Sequence, residues 1–239
     1  MMKTSTIFIA LAIVFLIGCL AFYNFRIKHI YDTGEYRSRF KNMEFTSVKG
    51  VDRVKVINKN ILDVQVEYGE KEGIWLNSKV KEAVKFEVKG DVLEVKVSDA
   101  GLRDKVTAGM GQIIVMVKGL KSVSSTPYVV DGAKVGVVGV SGVRLSGFNA
   151  KGLDLEVAEG VGFYLDKMDV GTLNAKVGDE KNGLGELVLA SGVKVGAAYF
   201  RVLGASKLTL LDPKIVKSSY DVSEKANVTL NGEVLKMLQ

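Results

Sequence analysis

Four acidic residues in a Gly-rich stretch are the side chains whose spacing could support chemistry. Asp154 and Glu156 stand two apart, so a β-strand would place both on one face, and Asp166 and Asp169 follow about one turn of chain later. Paired carboxylates can act as acid and base on a glycosidic bond, or can supply oxygen ligands to Ca²⁺. Because lysines are interleaved with them, a solvated charged face is the favoured interpretation, and we predict no catalytic, cofactor-binding or metal-binding residue.

Residues for nucleophilic or zinc chemistry are scarce. The chain has one His, His29, and one Cys, Cys19, and both lie in or beside an N-terminal apolar run. A single His and a single Cys cannot form a zinc cage or an internal disulfide. The glycine pair Gly109 and Gly111, like the pair Gly183 and Gly185, lacks the third glycine and the helix of a phosphate-binding loop. We therefore expect a non-enzymatic protein without a cofactor.

The N-terminal segment is predicted to be a membrane anchor. Residues 7–23 are apolar throughout, which is just enough for a bilayer-spanning helix of about 17–25 residues. An uncleaved single-pass anchor over residues 1–25 is the preferred interpretation. The alternatives are a lipoprotein signal, in which residues 16–19 form a lipobox and Cys19 carries the lipid, and a buried soluble helix.

The positive charge of the chain is concentrated beside this anchor. The net charge is +6, and the predicted tether, residues 26–43, holds five basic against two acidic residues, so the rest of the chain is nearly neutral. This excludes a basic face for nucleic acid and predicts contact with anionic lipid head groups. The positive-inside rule alone would keep the body in the cytoplasm, although long domains can translocate regardless of flanking charge.

Residues 44–118 alternate between apolar and polar side chains, which is typical of half-buried β-strands. Gly90-Asp91 joins two such segments and predicts a hairpin. Residues 113–117 are apolar without alternation and predict a strand buried on both faces. For Trp75, the single Trp, core packing is the favoured interpretation.

Residues 119–239 have a different pattern, in which short apolar segments lie about 8–14 residues apart with Gly, Asn, Asp or Ser between them. This spacing is also typical of β-sandwiches and β-barrels. Three apolar segments per turn would give a coil of about 20–30 residues, which is the repeat length of a solenoid. The last segment, residues 230–238, is predicted to cap the final coil.

Four segments of the body carry a family resemblance: residues 45–56, 89–95, 119–125 and 226–232. Together they resemble the GIN-domain family (domain of unknown function 2807), proposed adhesin-head proteins common in Bacteroidetes, over residues 44–235. The basic patch at residues 36–40 after a short N-terminal anchor is similar to membrane-anchored relatives. The resemblance implies an all-β fold whose later part winds as a right-handed parallel β-helix, in an exported envelope protein, and it supplies no catalytic residue. The chain differs from common members in lacking a polar tether directly after Cys19.

The sequence therefore predicts a non-enzymatic, adhesin-like protein of the bacterial cell envelope. Its body would lie in the periplasm or at the cell surface and would present a rigid β-helical surface to a protein or glycan partner. One alternative is an accessory subunit that joins a larger membrane complex through its helix. The other is a carbohydrate-active enzyme or Ca²⁺-dependent glycan binder that uses the four acidic residues.

Overall fold

The structure is a computed structural model that describes residues 4–34, 38–57, 63–97, 112–126, 142–181 and 183–231. It divides into two compact units, Met1–Asn42 and Met43–Gln239. The glycine pair at Gly109 and Gly111 and most of the predicted C-terminal cap lie outside the described residues.

The first unit contains one helix, α1, which runs from Thr4 to Asp32. Its segment Ile7–Asp32 contains an 18-residue window with a mean hydropathy of 2.5, and it is long and apolar enough to cross a membrane. The helix continues past the apolar run into the predicted tether. It ends where the hydroxyl of Thr33 donates to the carbonyl oxygen of His29 at 2.8 Å and Gly34 adopts a φ of 67°.

The second unit is built from β-strands. In chain order they are β1 Met43–Ser47, β2 Arg53–Ile57, β3 Val64–Tyr68, β4 Gly73–Asn77, β5 Val84–Lys89, β6 Val92–Val97, β7 Ile113–Val117, β8 Ser122–Ser125, β9 Gly142–Ser146, β10 Asn149–Val157, β11 Gly162–Asp166, β12 Asp169–Val177, β13 Glu186–Leu189, β14 Lys194–Val202, β15 Lys207–Leu211, β16 Lys214–Val222 and β17 Asn227–Asn231. The chain is thus mostly β-strand with one N-terminal apolar helix.

These strands form two mixed sheets. Sheet A has the order β1-β4-β7-β3-β9-β11-β13-β15-β17, and sheet B has the order β16-β14-β12-β10-β8-β2-β6-β5. Antiparallel pairs occur among the early strands, including the hairpin β5–β6 that Gly90-Asp91 predicted. From β8 onward every described pair is parallel.

The register of the parallel strands is nearly constant along the chain. Asn149 pairs with Asp169, which pairs with Lys194, which pairs with Lys214. Two of these steps span 20 residues, and the middle one spans 25. Four of the five extra residues lie in the connection between β12 and β13, residues 178–185, which is longer than its counterparts. Equivalent positions therefore recur on neighbouring strands.

The core lies between the sheets and is made of the inward-facing alternate residues. Leu155, Ala175 and Phe200 succeed one another on adjacent strands of sheet B, and all three are buried. The small side chain of Ala175 leaves room beside the ring of Phe200, which stacks on Tyr220 at a centroid distance of 5.4 Å. Burial of such side chains contributes about 1.5–3 kcal/mol each.

Two expectations about apolar residues have different outcomes. Strand β7 is buried on both faces, as predicted, because Ile113, Ile114 and Val115 are at most 1% exposed. The core interpretation of Trp75 was wrong. Its neighbours in β4 point into the core, whereas its half-buried ring lies on the other face against Phe45, at a centroid distance of 4.9 Å and beneath the Lys71 ammonium. Aromatic packing on the outer face of a sheet leaves the same alternation in the sequence as core packing.

Candidate functional site

The predicted acidic residues lie on solvated faces and edges of the two sheets. Asp154 and Glu156 project from the outer face of β10 in sheet B. Asn174 donates to Asp154 Oδ1 at 2.7 Å, and the ammonium of Lys176 lies 3.2 Å from Glu156 Oε1. Both carboxylates thus contact the next strand of the sheet, β12.

The other two predicted acids are elsewhere. Asp166 is the last residue of β11 in sheet A, and Asp169 is the first residue of β12 in sheet B. Neither lines the two grooves that contain Asp154. In the part of the chain that the structure describes, no three His, Cys, Asp or Glu side chains are grouped so that they could hold a metal ion.

The remaining predicted residue, Cys19, is exposed on α1. It is available on that surface for packing or acylation, and lipid attachment there stays a prediction.

A groove of about 400 Å³ lies at the N-terminal ends of β3, β9, β11 and β13 in sheet A. That volume is within the range of small-ligand sites, about 300–1,000 Å³. Its lining combines apolar surface with a few polar side chains: Asp63, Val64, Gln65, Gly142, Val143, Arg144, Gly162, Phe163, Tyr164, Glu186 and Val188. This composition, apolar with a few convergent polar groups, is typical of binding sites.

The floor of the groove is formed by two glycines. Gly142 and Gly162 pair in register and alternate with core-facing residues, so both face outward without a side chain. Asp63, the residue just before β3, flanks them on the β3 side of β9, and Glu186 of β13 flanks them on the other side. Three strand spacings separate these acids, or about 14 Å of backbone. The result is a trough two strands wide with a carboxylate at each end.

One side of the trough is a row of larger outward-facing side chains. Gln65, Arg144, Tyr164 and Val188 pair in register across β3, β9, β11 and β13. The guanidinium of Arg144 lies 4.5 Å from the ring centroid of Tyr164, a cation–π contact that holds both side chains along the trough. An aromatic ring and a planar donor group thus border the glycine floor.

The Asp63 carboxylate is half-buried and oriented by the backbone. The N–H of Gly142 donates to its Oδ1 at 2.9 Å. Burial raises the pKa of the Asp63 carboxyl above its ordinary value, against the opposing effects of that hydrogen bond and of Arg144. At the opposite end, Glu186 lies 3.5 Å from the ammonium of Lys207. The charges around the trough are therefore balanced, and it offers both hydrogen-bond acceptors and donors.

The outer face of sheet B is a second polar surface. Tyr199 on β14 is 54% exposed, between Asn174 on β12 and Ser219 on β16. Next to this row, Arg201 forms an ion pair of 3.2 Å with Asp221. On this part of the face, the exposed ring of Tyr199 therefore lies among polar and charged side chains.

Sequence reasoning did not find the groove. Its residues come from four segments between positions 63 and 188, and the pairing that unites them is long-range. One signal was present: Gly142 and Gly162 each precede an alternating strand, stand 20 residues apart, and pair directly. Recognising them as a floor requires knowing that both face outward.

No protein-family model matches the sequence, and no curated protein matches it either. Among solved structures, a candidate adhesin from Bacteroides fragilis is 12% identical with a TM-score of 0.46, over 79% of this chain and 96% of that one. A candidate adhesin from Parabacteroides merdae is 12% identical with a TM-score of 0.34, over 80% of this chain and 95% of that one. A candidate lipid-binding protein from Parabacteroides distasonis is 11% identical with a TM-score of 0.31, over 78% and 95%.

Proposed function

We propose that this chain is a non-enzymatic, adhesin-like protein of the bacterial cell envelope. The helix α1 anchors it in a membrane, and its β-rich body lies outside the cytoplasm and binds a protein or glycan partner through its outer faces. We also propose that the body winds as a right-handed parallel β-helix and is a divergent relative of the GIN-domain family.

The observation that carries the proposal is the in-register parallel pairing of β10, β12, β14 and β16 at steps of 20 or 25 residues. Successive strands of a β-helix pair in this way. Each inner strand has its backbone groups bonded on both sides, so the body is stiff and its outward side chains form fixed rows. A fixed array of polar and aromatic side chains favours binding, because little conformational entropy is lost on contact.

Anchoring is supported by the composition of α1. Its apolar side chains are exposed to a degree that would be unfavourable in water, for example Phe15 at 74% and Phe8 at 68%. A lipid environment would remove that cost. The basic residues that follow would lie at the level of anionic head groups.

The experiment is a detergent pull-down of the full-length chain from envelope extracts, compared with a chain that begins at Asn42. Partners recovered by both forms support binding through the β-rich body. Partners recovered only by the full-length chain would instead support the accessory-subunit function, in which α1 makes the contact. Recovery of no partner by either form would contradict both.

A further inference from the structure

We propose that the trough of sheet A is a carbohydrate site, and that it takes a short, neutral, hydroxyl-rich oligosaccharide between Asp63 and Glu186. This inference rests on the proposed function and deepens it by naming the class of ligand.

The first argument is shape. The trough is concave, holds about 400 Å³ and is only two strands wide. A stable protein–protein interface buries about 800 Å² on each partner, over a broad surface. A volume this small suits a single ring or a short oligosaccharide far better than a folded protein.

The second argument is the glycine floor. Gly142 and Gly162 have no side chains of their own on the outer face, so a ligand can approach the backbone of two adjacent strands there. Elsewhere in this row of positions the side chains are large, with Glu186 and then Lys207 on the following strands. The two glycines thus leave a gap in an otherwise filled row.

The third argument is chemical. A sugar ring needs acceptors for its hydroxyl hydrogens, donors for its oxygens and an apolar surface for its C–H face. Carboxylates at Asp63 and Glu186 supply the acceptors, the Arg144 guanidinium and the Gln65 amide supply donors, and the ring of Tyr164 supplies the apolar face.

The charged side chains at the trough indicate whether neutral or charged sugars would bind. Arg144 lies at the trough with Asp63, and Glu186 is paired with Lys207, so neither a strongly anionic nor a strongly cationic ligand is favoured. We therefore expect neutral sugars to bind better than uronic acids or amino sugars with a charged amine.

The test is calorimetric titration of the full-length chain in detergent micelles. The probes are the neutral tetrasaccharides cellotetraose, maltotetraose, mannotetraose and chitotetraose, with a tetramer of galacturonic acid as the anionic comparison. At least one neutral probe is expected to bind more tightly than the anionic one.

Two variants act on the trough from different sides. Gly162→Val adds a strand-compatible side chain to the floor, and Asp63→Asn removes a charged acceptor. Each is expected to weaken binding of the best probe at least about tenfold, the loss of one good contact to a charged group. The control is Thr209→Val, on the same outer face but beyond the trough, and its Kd should stay within about twofold. Thermal unfolding of each variant verifies that it is folded.

The outcomes separate the two proposals. If no probe binds the wild-type chain, or if both variants bind like wild type, the carbohydrate site is overturned. If the pull-down still recovers a partner through the body in that case, the proposed function stands without it. If neither sugar nor partner is bound, both are overturned.

Discussion

A corner in sheet B gives the sharpest prediction about how the strands stack. Gly171 of β12 sits opposite Lys151, where the ladder with β10 skips one pair. A Cβ added to Gly171 would lie 2.6 Å from the carbonyl oxygen of Lys151 on the neighbouring strand, and that backbone oxygen cannot rotate away. Gly152, one position further along the other strand, is a matched control, because its added Cβ would be 3.9 Å from the nearest atom, the carbonyl oxygen of Thr172.

The expected effect is the difference in the free energy of unfolding between the Gly171→Ala and Gly152→Ala variants. Replacing Gly by Ala restricts the unfolded chain and stabilises the protein by about 0.4–1 kcal/mol where the native site tolerates it. This contribution is common to Gly171→Ala and Gly152→Ala and cancels between them. Forcing atoms into a packed site costs about 1–3 kcal/mol. Val216 occupies the same corner two strands later, so the backbone can adopt a form that accepts a side chain, and we expect Gly171→Ala to be the less stable by about 1–3 kcal/mol.

Thermal unfolding followed by circular dichroism at 218 nm measures this difference. For a unit of this size, 1 kcal/mol corresponds to about 2–4 °C, so the midpoints of the two variants should differ by about 2–12 °C. Equal midpoints, or a lower midpoint for Gly152→Ala, would refute the close approach of the two strands at this corner.

Four further predictions concern single side chains. Ser206→Ala should destabilise the fold by about 1–3 kcal/mol, because the buried Ser206 hydroxyl accepts the N–H of Gly185 at 3.2 Å. Asp63→Asn should stabilise the protein at pH 7. Because the pKa of the Asp63 carboxyl is raised in the folded state, this group contributes stability below its ordinary pKa of 3.8, and the contribution is lost as the pH rises. The side chain of Asn does not ionise, so the variant does not undergo this loss. Glu156→Gln should change the free energy of unfolding by less than about 1 kcal/mol, because the ion pair between Glu156 and Lys176 lies on the protein surface. The uncleaved-anchor interpretation predicts no incorporation of labelled palmitate at Cys19.

Each of these has a control and a contrary result. Ser219→Ala, on the outer face of β16 beside the exposed Tyr199, should leave the denaturation midpoint unchanged, and an equal loss in both serine variants would contradict the buried hydrogen bond. The advantage of Asp63→Asn should vanish when the pH is lowered below 3.8; an advantage that persists there would assign it to another cause. Loss of polysaccharide turnover in a folded Glu156→Gln protein would favour the enzyme alternative. Palmitate incorporation that disappears in Cys19→Ala would establish the lipoprotein alternative.

The strands could be predicted from the sequence because their signal is local. The alternation at Val54 and Val56, and again at Val64 and Val66, is enough to place a half-buried strand at each site. Their partners could not be predicted in the same way. These two strands follow each other in the chain yet belong to different sheets, because pairing depends on contacts with strands far along the sequence.

The groove and the separation of the acidic residues could not be predicted from the sequence for the same reason. Asp63 and Glu186 are more than one hundred positions apart, and only the stacking of intervening strands makes them flank one trough. Conversely, Asp154 and Asp166 are close in sequence, yet they lie on different sheets. Proximity along the chain indicates shared chemistry within one strand, but not between consecutive strands of a two-sheet body.

The proposed function requires that the body lies outside the cytoplasm, where a glycan or protein partner could reach sheet A. Because Cys19 is the single Cys, a Cys19→Ala, Thr229→Cys chain carries one reactive thiol, on β17 of the body. Spheroplasts of bacteria expressing this chain are treated with a membrane-impermeant maleimide before and after lysis. The account predicts full labelling in intact spheroplasts. Labelling that occurs only after lysis would place the body in the cytoplasm, as the flanking charges alone indicate, and would contradict the account.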